Sequence, residues 1–339
     1  MRSKAPTIKD IARELGVSIS TVSRALRGMP EINPETKDRI VKYAEEIDYQ
    51  PNMVATSLVK QNSHLIGVLV PNMDFFFSTA VKGIDEAAME AGYTVVISQS
   101  NESYGREVAN AQRLFNSQVE GLIVSTSSET QQLDHFRRIQ NKSVPFVIFD
   151  RDIPGFNAPK VLLNNEEGGY LATKHLIQQG CQKIGFLGAQ ENLAISIGRE
   201  AGYRRALEEA GIPFKSSLII RGEFDKDDAY MKTMELLRQQ NRVDGLFAVS
   251  DRLAIGAYMA IKDKGLTMPD DIALVGFNDE PITSLLMPSI SSVSQPAFEM
   301  GKMAARLFIE QLNSDEELEH KIEVFKPELK IRDSSNRRL

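Results

Sequence analysis

The sequence predicts a small all-helical unit at the N-terminus, a short hinge, and a larger α/β core built from two lobes of parallel sheet. Three observations predict this organisation. Two short helical patterns flank a glycine within the first thirty residues. Short apolar runs alternate with amphipathic stretches from Leu65 onward, and the same cycle restarts at Lys183. At 339 residues the chain is also longer than one hydrophobic core usually supports, which indicates two or three domains.

The charges are distributed unevenly along the chain. Residues 1–64 hold 10 basic and 8 acidic side chains, a net charge of +2, whereas the remaining residues hold 30 basic and 38 acidic ones, a net charge of −8. A basic tip on an acidic body suits a protein in which only the tip contacts phosphate groups. Charge alone does not decide between this interpretation and chance, so the motifs must decide.

Composition argues against several protein classes. The single cysteine, Cys181, rules out an intrachain disulfide and a cysteine-based metal cluster. No run approaches the ~18 apolar residues of a membrane helix, and the N-terminus lacks the apolar region of a signal peptide. We therefore expect a cytoplasmic protein without a membrane partner.

The motifs of common enzyme classes are also missing from the sequence. The four histidines are scattered without zinc-ligand spacing. There is no phosphate-binding loop and no Gly-x-Ser-x-Gly elbow. We therefore predict that the protein is not an enzyme and has no catalytic residues, no bound metal and no cofactor.

Apolar spacing and capping residues predict the first two helices. A helix over 7–15 begins at Thr7, with Asp10 three residues later completing a capping box. Gly16 stands where the chain must turn with a positive φ angle. Ser18 then caps a second helix that runs to about Arg27. Two short helices around such a turn form the helix-turn-helix layout.

Small and cationic side chains occupy the outward face of the second helix. Counting ~100° per residue from Val22 places five side chains on this face or at its edge: Ile19, Ser20, Ser23, Arg24 and Arg27. Such a face fits a DNA major groove, where arginine pairs with guanine. A solvated helix face is the commoner alternative, but the short turn, the small residues and the positive charge favour DNA.

A third helix and a short hinge follow. Asn33 caps the third helix and Pro34 lies in its first turn, so that residues 1–50 form a three-helix headpiece. Residues 51–63 are predicted to be a hinge helix and linker. The segment 53–60 is too short to be a stable isolated helix, so we expect it to become helical only on binding.

Four stretches of this region form a recognisable pattern. They are Thr7-Ile8-Lys9-Asp10-Ile11-Ala12, Gly16-Val17-Ser18, Thr21-Val22-Ser23-Arg24-Ala25-Leu26 and Tyr49-Gln50-Pro51-Asn52. The pattern resembles the headpiece of the lactose/galactose repressor (LacI/GalR) family, without a gap over the first sixty residues. One departure is Thr56, where many relatives carry arginine. The loss of that charge is expected either to weaken binding in the DNA minor groove or to relax the preference for narrow A·T-rich grooves.

The resemblance implies a set of DNA-contacting residues. They are Thr7, Ser18, Ile19, Ser20, Thr21, Ser23, Arg24, Arg27, Asn52, Ala55 and Leu58. By the same resemblance, Ile19, Ser20 and Arg24 read bases, whereas Thr21 and Ser23 contact phosphates. Residues 52–60 correspond to a hinge helix that pairs across a homodimer in the minor groove. Leu58 falls at the position of a wedge that kinks the DNA.

Two series of buried strands are predicted in the core. The first is Leu65–Val70, Thr94–Ser98, Gly121–Ser125 and Pro145–Phe149, and the second is Lys183–Gly188, Leu218–Arg221, Asp244–Ser250 and Ile272–Phe277. Helical patterns between them include 80–91, 106–117, 199–210, 227–240 and 252–264. This alternation predicts two α/β lobes. The family resemblance further implies a first lobe of residues 64–162 and 292–335 and a second of residues 163–291.

Ligands of parallel sheets bind beyond the carboxyl ends of the strands, so the candidates are residues that come soon after a strand, together with Arg199 at the start of a helix in the second lobe. They are Phe75, Phe76, Asp150, Arg151, Arg199, Phe224, Ser250, Asp251 and Asn278. Aromatic rings combined with polar groups suit a sugar. Alternatives remain open: Asp251 as a helix cap, Arg151 as a partner of Asp152, and Phe76 or Phe224 as ordinary core.

Further stretches of the core resemble the same family. They include Gly67-Val68-Leu69-Val70-Pro71-Asn72, Gly121-Leu122-Ile123-Val124, Phe149-Asp150-Arg151, Arg199-Glu200-Ala201-Gly202-Tyr203, Ser250-Asp251-Arg252-Leu253-Ala254-Ile255-Gly256-Ala257, Gly276-Phe277-Asn278-Asp279 and Gln295-Pro296. The resemblance implies a two-lobed core like that of periplasmic binding proteins. It places Phe76, Asp150, Arg199, Phe224, Ser250 and Asn278 at effector-contact positions. Asn278 replaces an aspartate of some relatives, so the identity of their ligand does not transfer.

These patterns together predict a transcription regulator. We expect a homodimeric repressor of carbohydrate-utilisation genes that binds pseudo-palindromic operator DNA and senses a sugar or sugar derivative. Two alternatives stay open, a sugar receptor without a DNA role and a cytosolic sugar-modifying enzyme. Acidic sugars remain possible effectors, as does a protein co-regulator. The sequence does not decide whether the effector releases the protein from DNA or recruits it.

Overall fold

The computed structural model describes residues 6–49, 62–189, 193–238, 243–313 and 321–337. The chain divides between Ser63 and His64 into two compact units, a headpiece and a core, and each is described by itself. Most of the predicted hinge over 51–63 falls outside these ranges. No helix of the described residues is long and apolar enough to cross a membrane.

Within residues 6–49, the headpiece consists of α1 (Ile8–Glu14), α2 (Ile19–Leu26) and α3 (Pro34–Glu46). The predicted capping pair forms, because Asp10 Oδ2 accepts hydrogen bonds from the Thr7 backbone N–H at 3.0 Å and from its hydroxyl at 2.6 Å. Gly16 turns the chain between α1 and α2 with φ +65°. The small core is made of Ile11, Ala12, Val22, Ala25, Ile40 and Ala44.

Strands and helices alternate along the core, as predicted. The strands are β1 (Leu65–Val70), β2 (Thr94–Gln99), β3 (Gly121–Val124), β4 (Phe146–Phe149), β5 (Lys160–Leu163), β6 (Ile184–Gly188), β7 (Ile219–Arg221), β8 (Gly245–Ala248), β9 (Ala273–Asn278), β10 (Ser291–Ser294), β11 (Ile322–Phe325) and β12 (Glu328–Lys330). The helices are α4 (Phe75–Glu90), α5 (Tyr104–Asn116), α6 (Asp134–Gln140), α7 (Asn165–Gln178), α8 (Ala194–Glu209), α9 (Lys226–Leu236), α10 (Asp251–Asp263), α11 (Pro281–Leu285) and α12 (Ala297–Asn313).

Two six-stranded sheets organise the core into two lobes. The first sheet has the order β11-β5-β4-β3-β1-β2 and is parallel throughout. The second has the order β12-β10-β9-β8-β6-β7, in which only β12 is antiparallel. The central strands are apolar and buried on both faces, as expected for sheets covered by helices on both sides. The fold class predicted from the sequence is therefore confirmed.

The predicted composition of the lobes needs one correction. Residues 292–335 were assigned to the first lobe, but β10 pairs with β9 and β12 pairs with β10, so both strands belong to the second sheet. Only β11 and α12 of this region pack with the first lobe. The chain crosses between the lobes after β5, after β10 and after β11. These three connections lie at one end of each sheet and bring the two lobes together there.

The misassigned strand β10 reads Ser-Ser-Val-Ser, which is not an apolar run. It is nevertheless buried because its hydroxyls have partners inside the second lobe. Ser291 Oγ donates to the carbonyl of Arg332 at 3.0 Å, and Ser292 Oγ donates to Asp251 Oδ1 at 2.7 Å. Those partners are distant in sequence, so the pattern of β10 alone did not indicate which sheet it joins.

Candidate DNA-binding surface and effector cavity

The headpiece exposes the predicted face of α2. Val22 and Ala25 are buried, whereas Ser18, Ile19, Ser20, Arg24 and Arg27 are exposed and Thr21 and Ser23 are half-buried. Ile19 is 46% exposed, which leaves its side chain free for an apolar contact. Within the described part of the chain, neither Arg24 nor Arg27 forms a salt bridge, whereas Arg13 on α1 lies 3.4 Å from Asp10.

Hydroxyl groups cluster at the N-terminus of α2. Ser18 caps the helix by accepting a hydrogen bond from the Thr21 N–H at 3.0 Å, and its Oγ lies 2.8 Å from the hydroxyls of both Ser20 and Thr21. This arrangement fixes the start of the helix and places three hydroxyls beside its exposed N–H groups, a setting that suits phosphate oxygens. Asn52, Ala55 and Leu58, the other predicted DNA contacts, lie outside the described residues, as does Thr56.

The core contains a cavity between its two lobes, at the carboxyl ends of both sheets. It encloses about 480 Å³ of empty space, including the part that opens to solvent. The lining residues are Asn72, Asp74, Phe76, Phe77, Asp150, Arg151, Ile195, Arg199, Phe224, Arg252, Asn278, Glu280 and Gln295. Six of the nine predicted effector residues are among them. Phe75, Ser250 and Asp251 are not.

Aromatic rings form the first-lobe wall of the cavity. Phe76 stacks on Phe149 with ring centroids 5.8 Å apart and an interplanar angle of 7°, and Phe77 packs edge-on against Phe76 at 5.1 Å. Phe75 is 37% exposed because α4 begins at this residue and successive side chains on a helix point about 100° apart. Phe75 is therefore not among the lining residues, whereas Phe77 is, and the effector contact of Phe75 stays a prediction.

Asp150 and Arg151 follow β4 and are both buried. Asp150 adopts φ +64°, in the left-handed region that aspartate tolerates better than most non-glycine residues. Burial raises its pKa to about 6, although Arg151 and Arg199 oppose the shift. Arg151 donates two hydrogen bonds of 2.8 Å to the carboxylate of Glu102. The alternative pairing of Arg151 with Asp152 is wrong, because Asp152 pairs with Lys160.

Arg199 on α8 is the most deeply buried charged side chain of the cavity, with 1% exposure. Its guanidinium lies 3.5 Å from the centroid of Phe277, its Nε donates to Asn165 Oδ1 at 2.9 Å, and it also donates to the carbonyl of Val249. Burial lowers its pKa to about 9, so the group is still charged at neutral pH.

Close packing of two helices places Arg199 in this position. A Cβ atom at Gly202 would lie 1.9 Å from the carbonyl oxygen of Glu166 on α7, so only glycine allows α8 to approach α7 this closely. The approach brings Arg199 within reach of Asn165, at the start of α7. Phe224, which follows β7, is half-buried and packs on the apolar cluster that contains Ile195. It lines the cavity and also packs against the large apolar core of the two lobes, so both interpretations of Phe224 hold in part.

Ser250 and Asp251 lie next to the cavity but are not among its lining residues. Ser250 is fully buried and caps α10 by accepting from the Leu253 N–H at 3.3 Å, so the cap is Ser250 and not Asp251. Asp251 accepts hydrogen bonds from the hydroxyl of Ser292 at 2.7 Å and from the backbone N–H of Glu280 at 2.7 Å. Burial raises the pKa of Asp251 to about 8. Asp251 therefore holds the loop after β9 in place, Ser250 fixes the start of α10, and neither residue lines the cavity.

Asn278 completes the second-lobe side of the cavity. It has φ +114°, and its Oδ1 accepts a hydrogen bond from Gln295 Nε2 at 2.8 Å. An amide at this position both donates and accepts, whereas an ionised carboxylate only accepts. Gln295, at the second crossing between the lobes, was missed as a lining residue although the Gln295-Pro296 stretch was noted in the sequence.

An ion pair spans the cavity from one lobe to the other. Arg252, in the first turn of α10, donates to Asp74 Oδ2 at 2.8 Å, and Asp74 is the cap of α4 in the first lobe. Glu280 lies near this pair, and burial together with the charge of Asp74 raises its pKa. The sequence offered no signal for this contact, because its partners are 178 residues apart.

The described residues contain no group of His, Cys, Asp and Glu side chains arranged to hold a metal ion. The described lining of the cavity instead offers aromatic faces, three carboxylates, three guanidiniums and three amides. Of the guanidiniums, Arg199 is the one that forms no ion pair with a described carboxylate. That set is suited to reversible binding of a polar small molecule with apolar C–H faces.

Comparisons with known proteins agree with both parts of the structure. Residues 7–52 match the family described as "Bacterial regulatory proteins, lacI family", and residues 173–335 match the "Periplasmic binding protein-like domain". The ribose operon repressor of Haemophilus influenzae is 32% identical over 329 residues, which cover 97% of this chain and 98% of that protein.

Solved structures are similar over the whole fold. The lac repressor dimer bound to operator and an anti-inducer covers 98% of this chain and 99% of its own with a TM-score of 0.85, at 23% identity. A lacI family regulator from Enterococcus faecium with bound ribose covers 80% of this chain and 98% of its own, with a TM-score of 0.70 and 27% identity. The chain therefore belongs to the lacI family of bacterial regulatory proteins.

Proposed function

We propose that this regulator represses carbohydrate-utilisation genes, and that a sugar in the core cavity controls its binding to operator DNA. The observation that carries the proposal is the presence of Asp150 and Arg199 together in the lining of an aromatic-walled cavity, in a chain whose α2 face is exposed and basic. The protein would bind its operator DNA in the bacterial cytoplasm, at the nucleoid.

The cavity chemistry favours a neutral aldose of the size of a pentose or hexose as effector. The faces of Phe76, Phe77 and Phe224 suit the C–H surfaces of a sugar ring, whereas Asp150 accepts from hydroxyls and Arg199 donates to them. The relative from Haemophilus influenzae is named for the ribose operon, and ribose is bound in the Enterococcus faecium structure. We therefore take D-ribose as the first sugar to test.

We propose that two chains pair and place two copies of α2 in successive major grooves of a pseudo-palindromic site. Ile19, Ser20 and Arg24 would contact bases, and Thr7, Ser18, Thr21, Ser23 and Arg27 would contact the backbone around them. The support comes from the exposure of this face and from the lac repressor structure, which is a dimer on its operator. Residues 51–63 would act as the hinge between the two functions.

Control by the effector would depend on closure of the two lobes. A sugar that contacts Asp150 in the first lobe and Arg199 in the second would favour the closed arrangement of the lobes. The Asp74–Arg252 ion pair also links the two lobes and would favour the same arrangement. A ligand can shift such an equilibrium only by its difference in affinity for the two states. No serine, cysteine, histidine or lysine is among the described residues that line the cavity, which fits binding better than catalysis.

The test is a DNA-binding experiment with the purified full-length protein at fixed salt concentration. Fragments of its own genome are selected for binding, with and without a panel of neutral sugars, acidic sugars and sugar phosphates. Selective binding of a pseudo-palindrome that one neutral sugar alters is the expected result. Failure to select any DNA fragment under all of these conditions would refute the proposed function.

A further inference from the structure

The chain balances the charges of the two cavity arginines in different ways. The hydrogen bonds of Arg199 go to neutral acceptors, the side-chain oxygen of Asn165 and the carbonyl oxygen of Val249. Arg151 instead forms a bidentate pair with Glu102, with both N–H···O distances at 2.8 Å, and donates a third bond to the carbonyl of Thr126 at 2.8 Å. The charge of Arg151 is thus cancelled without a ligand, whereas that of Arg199 is not.

The backbone and the carboxylate of Glu102 are both fixed by contacts that keep it paired with Arg151. It follows β2 and adopts φ +60°, next to Asn101 at φ +50°, so two consecutive non-glycine residues are in the left-handed region. Such backbone conformations persist only where the surrounding contacts fix them. The contacts here come from Arg151 after β4 and from the Ser128 N–H, which donates to Glu102 Oε2 at 2.8 Å in the loop after β3. Glu102 therefore joins three loops of the first-lobe edge.

The paired charges leave little room for an anionic ligand. Asp150 and Arg199 are of opposite sign, Asp74 pairs with Arg252, and Glu280 adds a further carboxylate to the lining. An anion placed beside Arg151 would have to compete with Glu102 for the same guanidinium. The Nε of Arg151 has no hydrogen-bond partner among the described residues and lies 4.0 Å from Asp150 Oδ2, so a second carboxylate also faces this guanidinium.

We propose that Glu102 is a specificity-determining residue that acts through Arg151: by cancelling its charge, Glu102 restricts the cavity to neutral sugars and excludes their phosphorylated and acidic forms. The inference rests on the proposed function, since it concerns ligands of the same cavity. It also decides between two ligand classes that the sequence left open, because two arginines by themselves suggested an acidic sugar. Glu102 does not line the cavity, so it acts by positioning and neutralising Arg151.

The test compares full-length wild type with Glu102→Gln by titration calorimetry against D-ribose, D-ribose 5-phosphate and inorganic phosphate. The amide keeps the shape of the side chain and an oxygen for the Ser128 N–H but removes the charge. We expect Glu102→Gln to bind D-ribose 5-phosphate and inorganic phosphate at least about tenfold more tightly than wild type, because a freed guanidinium pairs strongly with phosphate. A general loss of stability would weaken every ligand and could not produce this gain.

Two further variants locate the effect. Glu129→Gln removes a carboxylate of the neighbouring loop that accepts from the Tyr104 N–H at 2.9 Å and has no bond to Arg151. It should bind phosphate like wild type. The double variant Glu102→Gln/Arg151→Gln should lose the gain. Glu102→Ala serves the same purpose as Glu102→Gln should the amide disturb the loop, as judged by circular dichroism.

The outcomes separate this inference from the proposed function. Phosphate binding that is equal in wild type and both Glu102 variants, or an equal gain in Glu129→Gln, overturns the role of Glu102. If wild type binds D-ribose and the variants gain no affinity for phosphate, the proposed function stands and the inference fails. If wild type binds no neutral sugar and Glu102→Gln gains phosphate affinity, the inference stands and the proposed sugar effector fails.

Discussion

The headpiece and the core present binding surfaces of opposite character. The outward face of α2 comes from ten consecutive residues, 18–27, and its arginines are exposed and unpaired within the described part of the headpiece. The cavity lining comes from positions between 72 and 295, and its polar residues are buried or half-buried except for Asp74 and Arg252. Exposed cationic side chains attract the DNA phosphates while they are still surrounded by water. A small effector in a cavity instead exchanges its bonds to water for bonds to fixed donors and acceptors of the protein.

This difference predicts how substitutions should act. Removing an exposed arginine from α2 subtracts one DNA contact and leaves the protein otherwise intact. Removing a buried charged side chain from the cavity also leaves the groups around it buried without a hydrogen-bond or charge partner. We therefore expect a larger loss of effector affinity. The following predictions run from the largest expected effect to the smallest.

Arg199→Ala should reduce the affinity for the effector by about 100-fold or more while operator binding without effector is kept. The change removes the one cavity guanidinium without a carboxylate partner and leaves Asp150 buried beside less positive charge, a loss of about 3 kcal/mol or more. Titration calorimetry with the sugar and fluorescence anisotropy with operator measure the two properties. Arg204→Ala is the control, since Arg204 lies one turn along α8 and bonds Glu200 outside the cavity. An unchanged effector response in Arg199→Ala would show that the cavity is not the effector site.

Arg24→Ala should lower specific operator affinity by about 10- to 100-fold, which corresponds to about 1–3 kcal/mol for one base contact. Effector affinity should stay the same, because Arg24 belongs to the headpiece. Anisotropy with operator and with a scrambled duplex separates the loss of specificity from a general loss of charge. Arg13→Ala on α1 controls for charge, as its side chain is exposed and pairs with Asp10. An equal loss in both variants would contradict base reading by Arg24.

Asp251→Asn should flatten the pH dependence of stability between pH 6 and 8. The pKa of Asp251 is raised from its ordinary 3.8 to about 8, so the folded protein retains a proton that the unfolded chain has lost. The stabilising contribution is complete below about pH 4 and disappears as the pH rises through 8. Asp150, with its pKa raised to about 6, contributes mainly below that window. Urea unfolding at several pH values measures the free energy of unfolding, and equal slopes in wild type and variant would rule out this role.

Arg252→Ala should have the smallest effect, a loss of effector affinity of up to about fivefold. The Asp74–Arg252 pair joins the lobes at 2.8 Å, but both side chains are about half exposed, and ion pairs of this kind contribute about 0.2–1 kcal/mol. The loss should shrink at high salt concentration as the pair is screened. Lys262→Ala, an exposed charge on the same helix outside the cavity, is the control. A loss that does not respond to salt would argue against an electrostatic link between the lobes.

The same contrast explains what could be predicted from the sequence. The headpiece and its α2 face follow from local rules, since Thr7, Gly16 and Ser18 determine where the first two helices begin and end. The cavity could be predicted in part, because Asp150 and Asn278 directly follow their strands. The sequence indicated the first core helix only from residue 80, whereas α4 begins at Phe75, so the choice between Phe75, Phe76 and Phe77 as lining residues could not be made from the sequence.

Contacts between distant residues account for what the sequence did not reveal. Glu102 and Arg151 are 49 residues apart, and Asp74 and Arg252 are 178 residues apart. Neither pair belongs to one helix or to one strand and its turn, so no periodicity relates their members. The position of β10 in the second sheet depends likewise on distant residues, because Asp251 and the carbonyl of Arg332 accept hydrogen bonds from the hydroxyls of its serines. Such pairings are properties of the tertiary fold and became visible only with the structure.

The central claim is that occupation of the cavity is coupled to operator binding, and reciprocity offers the most direct test. The affinity of the full-length protein for D-ribose should be measured by calorimetry with and without saturating operator duplex. Linkage requires operator to change the sugar affinity by the same factor as the sugar changes the operator affinity, typically about 5- to 150-fold. Matching factors are the predicted result. A sugar affinity that is identical in the presence and absence of operator would contradict the claim.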